Sequence, residues 1–374
     1  MKLMNYLLVK LAKAEINFLK LHGNLKLQFH TKRKIIAKGI LYKKQISELE
    51  KNNKEYLEVS KQFLKANFNG YRDVRWHKCI AALNGIKEVN YIPDDIFYTV
   101  FHKILNNENL ANAYKDKNIV EKLFPHVNTP TTVLRIMKGR YYTADYTLSS
   151  HEKIESLFSA EEKYVFKPAI DTGSGQSIIV GNKSKIIGAI RRAMEKRGRQ
   201  NQKNYIVQKY LVQHDDIKIF HPESLNTMRI MTLRLGEKIL HVSSVLRMGR
   251  NNSTVDNFGS GGVSSGIDKD GKLKKYAFDV TYNRYEAHTN SNIKFEGYQI
   301  PKYSDAVELC KKLHTELLHF DLVSWDIAIS QQSEVYLIEY NILGPSIDLH
   351  QLSNGPLFGE LTDEVIASVS KQSI

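Results

Sequence analysis

From about Thr131 onward the chain alternates short β-branched or aromatic runs with segments of helical period. Before that point helical patterning dominates. Leu3, Tyr6, Leu7, Leu11, Ile16 and Leu19 recur near a 3.6-residue period, which predicts an amphipathic helix over 1–21 that packs on its own domain or lies on a membrane. Lys43–Phe68 is helical and heavily charged, with breaks expected at Gly23, Gly39 and Gly70. Pro93-Asp94-Asp95 reads as a helix start, and Lys115–Asn118 opens another helix that ends near Phe124-Pro125. Strands follow at Thr132–Ile136, Tyr164–Lys167, Ile178–Val180 and Tyr205–Leu211. A basic surface helix lies within Lys183–Lys203. The last apolar runs, Phe320–Ile329 and Glu334–Asn341, flank the polar turn Ser330–Ser333 and predict a hairpin. The expected body is α+β, behind a helical N-terminal region.

Composition narrows the class. Hydrophobic and charged fractions of 42% and 25% are those of a soluble globular protein. No apolar run approaches the roughly 20 residues of a membrane helix, and Lys10 and Lys13 interrupt the start as no secretory signal would. Cys79 and Cys310 are far apart in helical segments and read as packed thiols. These features suggest a cytoplasmic protein. The net charge is +14, and residues 1–50 hold eleven Lys/Arg against three Glu. That excess suits a solvated face, or a surface meeting a membrane leaflet, an anionic glycan or a nucleotide-linked substrate. No zinc finger, helix-turn-helix or RNA-binding signature supports a nucleic-acid partner.

Four stretches carry candidate chemistry. Tyr164–Ser177 delivers Lys167 on a strand and then a loop with Thr172, Gly173, Ser174 and Gly175, whose amides can cradle phosphate. No Gly-Lys-Ser/Thr precedes a helix there, so it is not a P-loop. Tyr205–Leu211 is a strand in which Gln208 can accept from an exocyclic amine, and Asp216 beyond it can hold a ribose hydroxyl. Asp326, Glu339 and Asn341 are hard oxygen donors inside apolar strands. Glu339 and Asn341 share a strand face, and a hairpin can bring Asp326 opposite, a set suited to Mg²⁺ or Mn²⁺. Arg229 and Arg247, in strand-like runs, can neutralise a transferring phosphoryl group. Between them and the hairpin lies the glycine-rich loop Asp256–Val263. No Ser-His-Asp or Cys-His set competes.

The order of these pieces resembles the ATP-grasp superfamily over roughly Lys115–Pro345, and within it the sugar-transfer-associated ATP-grasp proteins of bacterial surface-polysaccharide clusters. Asn226-Thr-Met-Arg229, the Asp256-Asn-Phe-x-x-Gly-Gly loop and Glu339-Tyr-Asn341 carry the narrower likeness. The resemblance implies two α+β lobes gripping ATP, with residues 1–110 a helical basic region, 111–163 a linker and small lobe, and 164–374 the ATP-grasp domain. It makes Lys117 and Lys167 the phosphate-binding lysines, Thr172–Ser177 the phosphate lid and Gln208, Lys209, Tyr210 and Leu211 the adenine hinge. Asp326, Glu339 and Asn341 become the metal ligands, with Arg229, Arg247 and Lys167 assisting transfer. Two departures stand out: Gln208 where the family often has Glu, and Leu343 where many members have an arginine. The implied activity is an ATP-dependent carboxylate–amine ligase acting through an acyl phosphate. Its partners would be a sugar or glycan carboxylate and an amine or amino acid, at the inner face of the membrane if the basic region holds a lipid-linked glycan. A phosphotransferase and a non-catalytic nucleotide-binding protein are the alternatives. Asn257, Ser264 and His350 are acceptor-pocket candidates by position alone.

Overall fold

The computed structural model describes residues 27, 30–170, 178–196 and 203–372. The predicted helix over 1–21 and the loop residues Thr172, Gly173, Ser174 and Gly175 lie outside the described residues. The chain divides into two compact units, Met1–Leu105 with Gly355–Ile374, and Asn106–Asn354.

The first unit is helical. After the helix at 30–41 come α1 (Lys43–Asn52), α2 (Lys54–Asn67) and α3 (Arg75–Asn84). In α3, Trp76, Cys79, Ile80 and Leu83 are buried at i, i+3, i+4 and i+7, one stripe of a 3.6-residue helix. Gly85 ends it at φ +79°, a left-handed position that costs glycine little, and its amide bonds the Ala81 carbonyl at 3.0 Å. The helix predicted at Pro93 begins at Asp94 and continues through a π-helical turn, Phe97–Phe101. Phe101 stacks on Phe358, which ties the C-terminal segment and its helix Thr362–Gln372 into this core.

The second unit holds two antiparallel sheets. The smaller is built from β1 (Thr132–Met137), β2 (Arg140–Tyr142), β3 (Leu148–Ser149), β4 (Lys163–Pro168), β5 (Ile179–Asn182) and β6 (Tyr205–Lys209), in the order β3-β2-β1-β6-β4-β5. One face takes helix α4 (Lys183–Glu195), which buries Ile186, Ala189 and Ile190 against Leu134, Ile136, Phe166 and Val207. Strand side chains alternate, so Lys167 and Gln208 belong to the opposite face.

The larger sheet comprises β7 (Thr227–Leu235), β8 (Lys238–Met248), β9 (Val263–Ile267), β10 (Leu273–Asp279), β11 (Arg284–Tyr285), β12 (Leu322–Ile329) and β13 (Val335–Asn341). Its order is β11-β10-β9-β8-β7-β12-β13. Helix α5 (Tyr303–His314) covers one face, where Ala306, Cys310 and Leu313 join a core with Ile230, Leu246, Trp325 and Ile327. Trp325 is fully buried and keeps its indole N–H satisfied on Thr232 Oγ1 at 2.8 Å. Helix α6 (Ile347–Asn354) lies against β8, β9 and β10 on the other face. Its approach needs the missing side chain of Gly266, since a Cβ there would sit 2.7 Å from the Ser353 carbonyl oxygen. Strand β12 is buried along its whole length, hence a run that is apolar except for Ser324 and Asp326.

Candidate functional site

Strand register assembles the site. On β12, Asp326 stands opposite Glu339 of β13 on one side and Arg229 of β7 on the other. Two residues along, Ser324 stands opposite Asn341 and Met231. Arg247 of β8 is opposite Thr227, two residues from Arg229. Residues opposite one another or two apart share a face, so these side chains all project from the face that α5 does not cover. A bulge between Asp326 and Ile327 lets Leu337 and Tyr340 stay in the core while Glu339 turns to the site.

The charges are closely paired. Arg229 donates to both Asp326 oxygens, from Nε at 2.8 Å and Nη2 at 2.9 Å. Arg247 Nη2 is 3.1 Å from Asp326 Oδ2 and 3.3 Å from Asp256 Oδ2, and it donates to Thr227 Oγ1 at 2.6 Å. Asp256 accepts from the Thr227 amide and hydroxyl, which anchors the start of the glycine-rich loop. Burial alone would raise the Asp326 pKa, but Arg229 and Arg247 outweigh it and hold the carboxyl at about 2. For Asp256 burial wins, and its pKa rises. The arginines and acids, which lie in separate stretches of the sequence, form one network in the fold.

The two lysines come from elsewhere in the unit. Lys117 opens a 3₁₀ turn capped by Asp116, and its amide donates to the Ala169 carbonyl at 3.0 Å, just beyond β4. Its ammonium lies 3.0 Å from Glu339 Oε1. Lys167 is buried, only 8% exposed. Its pKa is lowered from 10.5 to about 8, chiefly by burial and further by the Lys117 charge, against the pull of Glu339 and Asp326. Lys117, Lys167, Arg229 and Arg247 thus surround Asp326 and Glu339.

The donor set fits a hard divalent cation. Among the described residues no three His, Cys, Asp or Glu side chains converge as a metal-binding group. The protein can therefore offer two carboxylates and an amide, leaving the other positions to phosphate and water, as Mg²⁺ requires. A carboxylate has about four acceptor positions. The Arg229 and Arg247 contacts take three on Asp326, and Lys117 faces one oxygen of Glu339. Asn341 would meet the cation through Oδ1, and its Nδ2, buried without a hydrogen-bond partner, is a separate donor that faces an acceptor other than the metal.

The hinge residues are placed differently. Gln208 is buried and its amide nitrogen donates to the Pro130 carbonyl at 3.0 Å, so contact with an exocyclic amine falls to Oε1. Lys209 turns outward and pairs with Glu162. Lys209 and Tyr210 line a cavity of about 470 Å³ with Glu161, Lys163 and Pro222, which includes none of the clustered charges. The Asp216 side chain is exposed, and its carbonyl accepts from the Tyr298 hydroxyl at 2.8 Å. Leu343 packs on the large core. The sequence marks Thr227 and Asp256 only as parts of two separate motifs, and their pairing beside Arg247 is a product of the fold.

A family profile described as sugar-transfer associated ATP-grasp matches residues 97–365. No curated protein matches the sequence. Among solved structures, D-alanyl-alanine synthetase A from Vibrio cholerae is similar at 14% identity and a TM-score of 0.41, over 70% of this chain and 66% of that one. The ATP-grasp ligase PsnB, complexed with minimal precursor, Mg and ADP, is similar at 10% identity and 0.41, over 71% and 62%. D-cycloserine synthetase DcsG is similar at 12% and 0.42, over 71% and 73%. The chain spans just under two thirds of the first two.

Proposed function

From its membership of the sugar-transfer-associated ATP-grasp family, we propose that this chain is an ATP-dependent carboxylate–amine ligase that modifies a sugar acid or amino sugar of a surface glycan. The observation that carries the reading is the convergence of Lys117, Lys167, Arg229 and Arg247 on Asp326 and Glu339 from the two sheets and the Asp116-capped 3₁₀ turn of one unit.

Phosphoryl transfer asks for positioning and charge neutralisation more than for a covalent group on the protein. Here the acids are partly neutralised before substrate arrives, and the cations are buried where their fields are weakly screened. Lys117 and Lys167 bind the triphosphate. The arginines, held by Asp326 and Asp256, face the γ-phosphoryl group and the acceptor carboxylate. Asp326, Glu339 and Asn341 would hold Mg²⁺, which when bound supplies Lewis-acid neutralisation of the phosphate oxygens. A carboxylate oxygen attacks the γ-phosphorus as the bond to ADP breaks, giving an acyl phosphate. The amine nitrogen then attacks the acyl carbon, the C–O bond to phosphate breaks, and the amine proton leaves with the phosphate. The products are an amide, ADP and phosphate.

The sugar acceptor rests on the family description and on the excess positive charge of residues 1–50, which suits an anionic or lipid-linked glycan at the inner face of the membrane. Dependence on ATP would suit a cytoplasmic site of action. No helix among the described residues is long and apolar enough to cross a membrane. The test is coupled ADP release with Mg·ATP, a panel of uronic acids and a panel of amines, with amide formation read by mass spectrometry. ADP release that requires both acceptors is expected. A stable phosphate ester formed without amine, or no ADP with any pair, refutes the ligase reading.

A further inference from the structure

Beyond the charged row, the same sheet face carries a second row, in which Asn341 and Ser324 present polar atoms that no contact among the described residues uses. Strand register places Asn341, Ser324, Met231 and Ser243 side by side across β13, β12, β7 and β8, two residues from the row of Glu339, Asp326, Arg229 and Val245. Asn341 Nδ2 and Ser324 Oγ are both buried without hydrogen-bond partners. At the other end of the row, His350 of α6 roofs Ser243, with Nδ1 2.9 Å from its hydroxyl oxygen. His350 is fully buried, and its Nε2 has no partner.

The surrounding bonds decide what that nitrogen presents. Asn354 Nδ2 donates to the Ser244 carbonyl at 2.8 Å, which fixes the orientation of the amide, and to Ser243 Oγ at 2.9 Å. Ser243 accepts from Asn354 and keeps its own hydrogen free to donate to His350 Nδ1, the arrangement we assign to the pair. An imidazole that accepts at Nδ1 carries its proton at Nε2. Burial and the Arg229 charge hold the ring neutral, with a pKa of about 3. In that arrangement Nε2 is an uncharged N–H donor within the field of the arginines, with no partner in the protein, and a ligand acceptor would satisfy it.

We infer that this row is the acceptor subsite, and that it takes a carboxylate carried on a polyhydroxylated ring. In it the carboxylate faces Arg229 and Arg247, His350 Nε2–H donates to an acceptor oxygen, and Ser324 and Asn341 bond ring hydroxyls. The inference rests on the ligase reading above and names the substrate class of that site. His350 is then a specificity-determining residue that touches substrate and leaves the nucleotide alone.

The experiment is calorimetric binding of D-glucuronate to the full chain saturated with Mg·ADP. His350→Phe keeps the ring volume but removes the donor, and His350→Gln keeps an amide N–H near the Nε2 position. The expected result is a loss of glucuronate affinity of about tenfold or more in His350→Phe, with partial recovery in His350→Gln and Mg·ADP affinity within twofold of wild type in both. Ser324→Ala, a smaller change, reads the other end of the row if His350→Phe does not fold, and is expected to weaken glucuronate a few-fold. Equal glucuronate affinity in wild type and variants overturns the assignment of the row and leaves the ligase reading standing. No glucuronate binding to the wild-type Mg·ADP complex overturns the substrate class. Binding with these losses but no amine-dependent ADP release keeps the subsite and refutes the ligase.

Discussion

Nucleotide binding should take up a proton at Lys167. The free protein holds this ammonium at a pKa of about 8, against an ordinary 10.5, because burial strips its water and Lys117 stands near. Triphosphate oxygens would favour the charged form and move the pKa back up. Should binding restore the ordinary value, uptake at pH 8.5 is about 0.75 proton per nucleotide, and affinity at pH 9 is about tenfold weaker than at pH 7. ATP itself does not titrate in this range. The assay is titration calorimetry with Mg·ATP at pH 8.5 in buffers of different ionisation enthalpy, whose slope against apparent enthalpy gives the proton count. Lys167→Arg retains a cation that does not titrate, so the slope should vanish. An uptake near zero in wild type, or an equal uptake in Lys167→Arg, refutes the reasoning. The same shift has a signature in stability. A lysine whose folded pKa is depressed binds fewer protons folded than unfolded between about pH 8 and 10.5, so its contribution to stability rises with pH across that window.

Asp326→Asn should lower stability by about 3 kcal/mol in urea unfolding, since it leaves Arg229 buried without its carboxylate; a loss below about 1 kcal/mol would contradict the pairing. The folded pKa of Asp326 is depressed to about 2, so the gap between wild type and variant should hold from neutral pH to about 4 and close as pH falls to about 2. Gly266→Ala puts a Cβ 2.2 Å from Asn354 Oδ1 and 2.7 Å from a backbone oxygen, and should cost about 1–3 kcal/mol. Gly39→Ala, in the helix at 30–41 with nothing within 4 Å of the new atom, should stabilise by about 0.5–1 kcal/mol. Thermal unfolding of the two variants reads both signs, and a shift in the same direction would sink the contrast. Cys79 and Cys310 are buried free thiols, with burial raising the Cys79 pKa to about 12. A thiol reagent should therefore find none in the native protein and both after denaturation; fast native reaction at either would disprove the packing.

The linear sequence determined the elements. The hairpin at Phe320–Asn341, the strand bearing Lys167 and the helix starts at Pro93 and Asp116 follow from local propensity and period, which act over a few residues. It also marked the acids, because a carboxylate inside an apolar strand has to have a partner. Which partner it has is a matter of register and tertiary approach. Asp326 meets Arg229 because β12 lies beside β7, nearly a hundred residues away in the chain, and Glu339 meets Lys117 only because a 3₁₀ turn is tied to the end of β4. The value of Asp256 and the tautomer of His350 depend on contacts of the same kind. Burial and charge pairing are sums over neighbours in space, and those neighbours exist only once the sheets are paired and α6 has closed over Gly266.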